Sequence, residues 1–205
     1  MTRIKICGIT NLEDALAAVD AGADALGFNF AAGPRKIEPA LAREIIAHLP
    51  PFVTVVGVFI REDPSVAAIA DGCGVQVIQL HGGESEQFAR RLWPRPVIRV
   101  IHASDEGAIQ AIPSCASAAA ILLDASVAGK LGGTGQTFDW EIAVRAKEYG
   151  KPIILAGGLN TGNVAAAVAK VRPYAVDVAS GVESSPGKKD CRLVREFIDN
   201  VRAFD

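Results

Sequence analysis

Short apolar runs alternate along the whole chain with stretches whose apolar residues recur every three or four positions. The first run is Ile4 to Cys7. The helical stretch TNLEDALAAVDAG follows it. Thr10 or Asn11 can cap this helix, Glu13 and Asp14 suit its first turn, Leu12, Ala15, Leu16 and Val19 form one face, and Gly22 ends it. ADALGFNF predicts a second strand, and EPALAREIIAHL, opening on a proline and acids, a second helix. FVTVVGVF, VQVIQLH, RPVIRVIH, AAAILLD, KPIILAGG and YAVDVASG predict six further strands. The helices between them are expected over Pro64 to Asp71, Ser85 to Leu92, a weak Ala-rich segment from Asp105 to Ile112, Trp140 to Tyr149, and a segment capped by Asn160 that runs to Lys170. DCRLVREFIDNVRAF closes the chain as a last helix.

Eight strand–helix units with no linker between them predict an α/β fold. The strands are almost continuously apolar, as parallel strands covered on both faces must be. We therefore expect one small (β/α)8 TIM barrel over residues 1–205. An open doubly wound sheet would carry a GxGxxG turn after its first strand, and none is present. In a closed barrel, chemistry gathers at the carboxyl ends of the strands. Those ends carry Cys7-Gly8, the loop AAGPRK with Arg35 and Lys36, Gln79 and His81, Arg99 and His102, Asp124, Gly157-Gly158, and Asp177 with Ser180-Gly181. Glycines after strands seven and eight let backbone N–H groups converge on an anion, the usual phosphate site of this barrel. Gly133, in the run GGTG, can close one side of that site or form a lid.

Composition removes other classes. The chain has 205 residues, half of them hydrophobic, and a formal charge of −2, which favours neither nucleic acid nor an anionic membrane as partner. The four cysteines lie far apart, without a CxxC pair, and disulfides are not needed at this size. The N-terminal residues do not read as a signal peptide, and no apolar run is long enough to span a bilayer, so a cytoplasmic location is expected. Only three histidines occur, and no His–carboxylate spacing suggests a metal site.

Six segments, in order along the chain, resemble the phosphoribosylanthranilate isomerase family: KICGIT at 5–10, QLHG at 79–82, LLD at 122–124, GGTGQTFDW at 132–140, AGGLN at 156–160 and VDVASGVESSPGKKD at 176–190. The resemblance implies an enzyme of tryptophan biosynthesis. It would convert N-(5′-phosphoribosyl)anthranilate to 1-(2-carboxyphenylamino)-1-deoxyribulose 5-phosphate by an Amadori rearrangement, without metal or organic cofactor. It implies Cys7 as general base, Asp124 as general acid, Arg35 as partner of the anthranilate carboxylate, and Gly157, Gly158, Ser180 and Gly181 as holders of the phosphate. The sugar phosphate is the expected partner, with the chain a monomer or homodimer. The second loop departs from the family pattern: Gly33 stands where a serine often precedes the basic residues. A histidine-pathway isomerase on the same barrel would offer paired aspartates, whereas strand one here ends on cysteine. A non-catalytic phosphate-binding barrel would not need both Cys7 and Asp124.

The chemistry suits these residue types. Ring opening needs a protonated acid, and partial burial of Asp124 after an apolar strand would raise its pKa. Removal of the C2′ proton needs a base, and a modestly depressed thiol is competent. Strand alternation turns Lys5 to the same side as Cys7, where it can supply that depression. Gln79 and His81 stand at the pocket mouth as substrate contacts, His81 chiefly ordering the rim. Asp177 lies inside strand eight, where its charge needs a partner. Arg99 is the expected one if it points inward, and the carboxylate would then serve the surroundings of Cys7 or a substrate hydroxyl.

Overall fold

The computed structural model describes residues 1–125 and 138–204. Eight parallel strands close a barrel in chain order: β1 Arg3–Cys7, β2 Ala25–Asn29, β3 Thr54–Phe59, β4 Val77–Leu80, β5 Val97–His102, β6 Ala120–Asp124, β7 Ile153–Leu155 and β8 Ala175–Val178. The ring closes between β1 and β8, which sets Lys5 opposite Asp177. Outside the barrel run α1 Leu12–Asp20, α2 Pro39–Ile46, α3 Ser65–Cys73, α4 Glu86–Arg91, α5 Trp140–Ala146, α6 Val164–Val171 and α7 Cys191–Arg202. No described helix is long and apolar enough to cross a membrane.

Local chemistry explains most boundaries and several departures from the sequence expectation. Asn11, rather than Thr10, caps α1 by accepting the Asp14 N–H. Ala15 and Ala18 are buried on that helix while Leu16 is 37% exposed, so small side chains set the approach to the barrel. Between β5 and β6 the connection is a 3-10 helix, Glu106–Ser114, with Gly107 near its start and Pro113 inside it. Both residues disfavour an α-helix there. Asn160 does not cap α6. Its carboxamide oxygen accepts the Gly162 N–H and forms a turn, and the helix begins after Asn163. A short hairpin that the apolar pattern did not show, β9 Glu183–Ser185 with β10 Lys188–Lys189, leads into α7.

Two apolar layers follow from strand alternation. Ile4, Ile6, Leu26, Phe28, Ile78 and Leu80 pack outward against the helices. Val56, Ile98, Val100, Ala120, Leu122, Ile154, Ala156 and Ala175 fill the barrel interior. Residues in step with this inner set continue it upward: Cys7, Asn29, Gln79, His81, His102, Asp124 and Asp177 all reach a common pocket. Arg99 lies between inward-facing Ile98 and Val100 and therefore points out, donating to the Glu84 and Ser85 carbonyls ahead of α4. It is not the partner of Asp177.

The loops after β7 and β8 approach so closely that only glycine fits at their crossing. A Cβ at Gly181 would lie 1.9 Å from the Leu159 carbonyl oxygen. Since that neighbour is backbone, Gly181→Ala must push the loops apart, at a cost of about 1–3 kcal/mol. The expected drop in Tm is a few degrees, on the order of 2–4 °C per kcal/mol for a domain of this size, measured by thermal melting. An unchanged Tm would contradict the packing described.

Candidate active site

A pocket of about 370 Å³ opens at the carboxyl ends of the strands. Of the residues singled out in the sequence, Cys7, Arg35, Gln79, His81, Asp124, Gly157, Gly158, Asp177 and Ser180 line it. Gly181 follows directly, behind Ser180. Gly133 lies outside the described residues.

Cys7 ends β1 inside the barrel, 7% exposed. Room for its sulfur comes from Gly27 on β2, where a Cβ would lie 2.7 Å from Sγ and 3.1 Å from Lys5 Cε. Lys5 is buried one layer below, and its ammonium donates to Asp177 Oδ1 at 2.9 Å. Burial opposes the Lys5 charge, yet the Asp177 carboxylate and the neighbouring Cys7 outweigh it and hold the ammonium above its ordinary pKa. Around Cys7 the balance goes the other way. Burial pushes the thiol up, Lys5 and Lys189 pull it down, Asp177 adds to the rise, and the net shift is upward. Lys5 does lower the thiol, as alternation suggests, but burial in the barrel interior penalises the thiolate more than the two ammonium groups relieve it.

Gly8, next in the chain, has a φ of +79°, and a Cβ there would lie 2.5 Å from Arg35 Cδ. The loop after β2 thus lays Arg35 across the end of β1. Its guanidinium is held by Glu183 in two parallel bonds, Nε to Oε1 at 2.8 Å and Nη2 to Oε2 at 2.7 Å. The Arg35 side chain is 14% exposed and that of Glu183 4%. The Glu183 bond raises the Arg35 pKa further. Burial works against the Glu183 charge, but Arg35 and Lys189 together hold the carboxyl below its ordinary value. Lys189, with a fully buried side chain, donates to the Cys7 carbonyl at 2.6 Å, the Ala179 carbonyl at 3.1 Å and Glu183 Oε1 at 3.0 Å. Sequence reading missed Glu183 and Lys189 as members of the site. The signal was present as two charged residues inside a motif, with nothing to say they were buried.

Across the pocket, Asp124 at the end of β6 lies 3.4 Å from His81 Nε2. His81 and His102 face each other at 5.5 Å between ring centroids. One ligand atom from each of His81, His102 and Asp124 lies within 4.8 Å of the others, a grouping that no sequence spacing suggested because the residues come from three strands. It is a set of donors that could hold a transition-metal ion. Gln79 Nε2 and His81 Nδ1 are 3.4 Å apart. Among the described residues the buried carboxamide oxygens of Gln79 and Asn29 have no partner, which suits both to accept from a polar ligand. Asn29 was not singled out in the sequence. Gly157 and Gly158 are consecutive left-handed residues, with φ of +81° and +69°.

Residues 4–200 match the family model described as N-(5′-phosphoribosyl)anthranilate (PRA) isomerase. A curated N-(5′-phosphoribosyl)anthranilate isomerase from Geobacter sp. (strain M21) is 54% identical over 204 residues, covering 98% of each chain. The crystal structure of phosphoribosyl anthranilate isomerase from Thermotoga maritima superposes with a TM-score of 0.93 at 42% identity, covering 99% of this chain and 100% of that one. Another isomerase structure, in complex with reduced 1-(o-carboxyphenylamino)-1-deoxyribulose 5-phosphate, gives a TM-score of 0.89 at 41% identity, with coverage of 99% and 100%.

The charge balance around Cys7 is testable. Lys5→Met removes the largest influence that lowers the thiol pKa and frees Asp177 to raise it. The pH midpoint for iodoacetamide alkylation, read at Cys7 by peptide mapping, is expected to rise in the variant. A midpoint that stays or falls would show that Lys5 does not act on the sulfur.

Proposed function

The chain belongs to the N-(5′-phosphoribosyl)anthranilate isomerase family and is an isomerase of tryptophan biosynthesis; from that premise we propose that Cys7 and Asp124 are its base and acid. The observation that carries this reading is their arrangement. Both face one pocket from non-adjacent strands, with Arg35 and the left-handed Gly157-Gly158 turn also on its wall.

In this reading the substrate phosphate sits on the backbone N–H groups after β7 and β8. The anthranilate carboxylate pairs with Arg35. These two anchors fix the sugar between Cys7 and Asp124. Asn29 and Gln79 offer their buried oxygens to sugar hydroxyls. Asp124, protonated, gives its proton to the ring oxygen as the C1′–O4′ bond breaks. The nitrogen lone pair moves in to form a protonated Schiff base. Cys7, as thiolate, then takes the C2′ proton, and the released electron pair forms the C1′–C2′ double bond of the enolamine while the nitrogen becomes neutral. The new thiol returns its proton to C1′, and the Asp124 carboxylate takes the proton of the 2′-hydroxyl, leaving the ketone. Acid and base end in their starting states, and no oxidant or reductant is required.

With the thiol raised by burial, the thiolate that starts this cycle needs positive charge close by. Ring opening creates a cation beside the sulfur, and an opposite charge at close range favours the thiolate. Lys5 holds a second positive charge beneath it, anchored by Asp177. His81, next to Asp124, keeps the acid oriented. A cytoplasmic site of action, and a monomer or homodimer as the working unit, belong to the same reading.

Cys7→Ser keeps the side-chain size but replaces a thiol by an alcohol far too weak in acidity to cycle as base. Its kcat is expected to fall by about 10² or more, with KM little changed. Asp124→Asn is expected to fall at least as far. Near-normal turnover in a folded C7S protein, checked by circular dichroism, would remove Cys7 from the chemistry. Arg35→Ala is expected to weaken the product analogue by about 1.5–3 kcal/mol, and to leave an analogue lacking the aromatic carboxylate nearly unaffected. Calorimetric titration of both ligands measures the difference.

A further inference from the structure

A guanidinium has two edges that can each grip a carboxylate with parallel N–H bonds: Nε with Nη2, and Nη1 with Nη2. Glu183 occupies the first edge of Arg35 completely. Only the second edge is then available to a ligand carboxylate, in one plane and one direction. We propose that Glu183 is a positioning residue that selects substrates bearing an aromatic ortho-carboxylate, by locking Arg35 so that its Nη1/Nη2 edge serves the pocket. The proposal rests on the reading of Arg35 as the carboxylate partner and extends it to a residue that touches no substrate.

Three observations support a dedicated arrangement over an incidental ion pair. Arg35 is laid down on Gly8, whose missing Cβ leaves room for the stem of the side chain. Glu183 is almost fully buried and is fixed from behind by Lys189 Nζ at 3.0 Å. The turn between β9 and β10 braces the same loop from the other side: a Cβ at Gly187 would lie 2.9 Å from the Pro34 carbonyl oxygen. A flexible arginine would meet carboxylates, phosphates and hydroxyls at many angles. One held by two bonds to a buried carboxylate offers a single bidentate edge, so less rotamer freedom remains to be lost when the ligand arrives.

The test compares two ligands on four proteins: wild type, R35A, E183Q and the double variant R35A/E183Q. The ligands are reduced 1-(o-carboxyphenylamino)-1-deoxyribulose 5-phosphate and its anilino counterpart without the carboxylate, each titrated calorimetrically. E183Q is expected to weaken the carboxylated ligand about tenfold and the other less than twofold, to raise KM while kcat stays near wild type, and to add nothing in the R35A background. Glu183→Asp keeps the negative charge against Lys189 but withdraws it by one methylene. It is expected to lose the same selectivity, and it serves if E183Q does not fold. Equal loss for both ligands, or an E183Q effect that adds fully to that of R35A, would overturn the proposal while leaving Arg35 in place. If R35A itself weakens both ligands alike, the carboxylate reading of Arg35 fails, and the role of Glu183 falls with it.

Discussion

Lys189 buries its ammonium completely, and a buried charge is tolerated only when its surroundings answer it on every side. The Cys7 carbonyl, the Ala179 carbonyl and the Glu183 carboxylate provide that answer. These three groups belong to the end of β1, to the loop after β8 and to the hairpin before α7. A single cation therefore ties the strand that carries the proposed base to the loop proposed for phosphate and to the carboxylate that holds Arg35. The backbone of Lys189 extends the tie, since its N–H donates to the buried Asp14 carboxylate at 2.7 Å. Burial still pulls the ammonium below its ordinary pKa, so the partners offset the desolvation without exceeding it.

A second buried cation works one layer down. Lys5 and Asp177 face each other where β1 and β8 close the barrel. That pair neutralises itself, which keeps charge at the barrel centre affordable, and it still leaves a positive group against the sulfur of Cys7. Burial, with Asp177 adding to it, raises the Cys7 thiol by more than Lys5 and Lys189 lower it, so the thiol of the free protein lies above its ordinary pKa.

Lys5 and Arg99 illustrate how one rule separates charge inside the barrel from charge outside it. Both are basic residues within apolar strands. Lys5 shares its side with Cys7 and enters the barrel. Arg99, flanked by inward Ile98 and Val100, is turned out to the carbonyls before α4. The same alternation brings Gln79, His81, His102 and Asp124 to one mouth from three neighbouring strands.

The sequence alone determined the eight repeated units, the closed barrel they imply and the polar residues at the strand ends, because alternation and helical periodicity are local properties of the chain. It also carried the family motifs, and through them Cys7, Asp124 and Arg35. Tertiary structure decided the rest. The partner of Asp177 depends on β1 meeting β8, a contact between residues 172 positions apart. The burial that raises the Cys7 thiol depends on how the closed interior is filled, and the grip of Glu183 on Arg35 spans 148 positions. A charged residue reads the same in sequence whether it faces water or a sealed seam, and only the packed fold fixes which charges lose their solvent and must find one another.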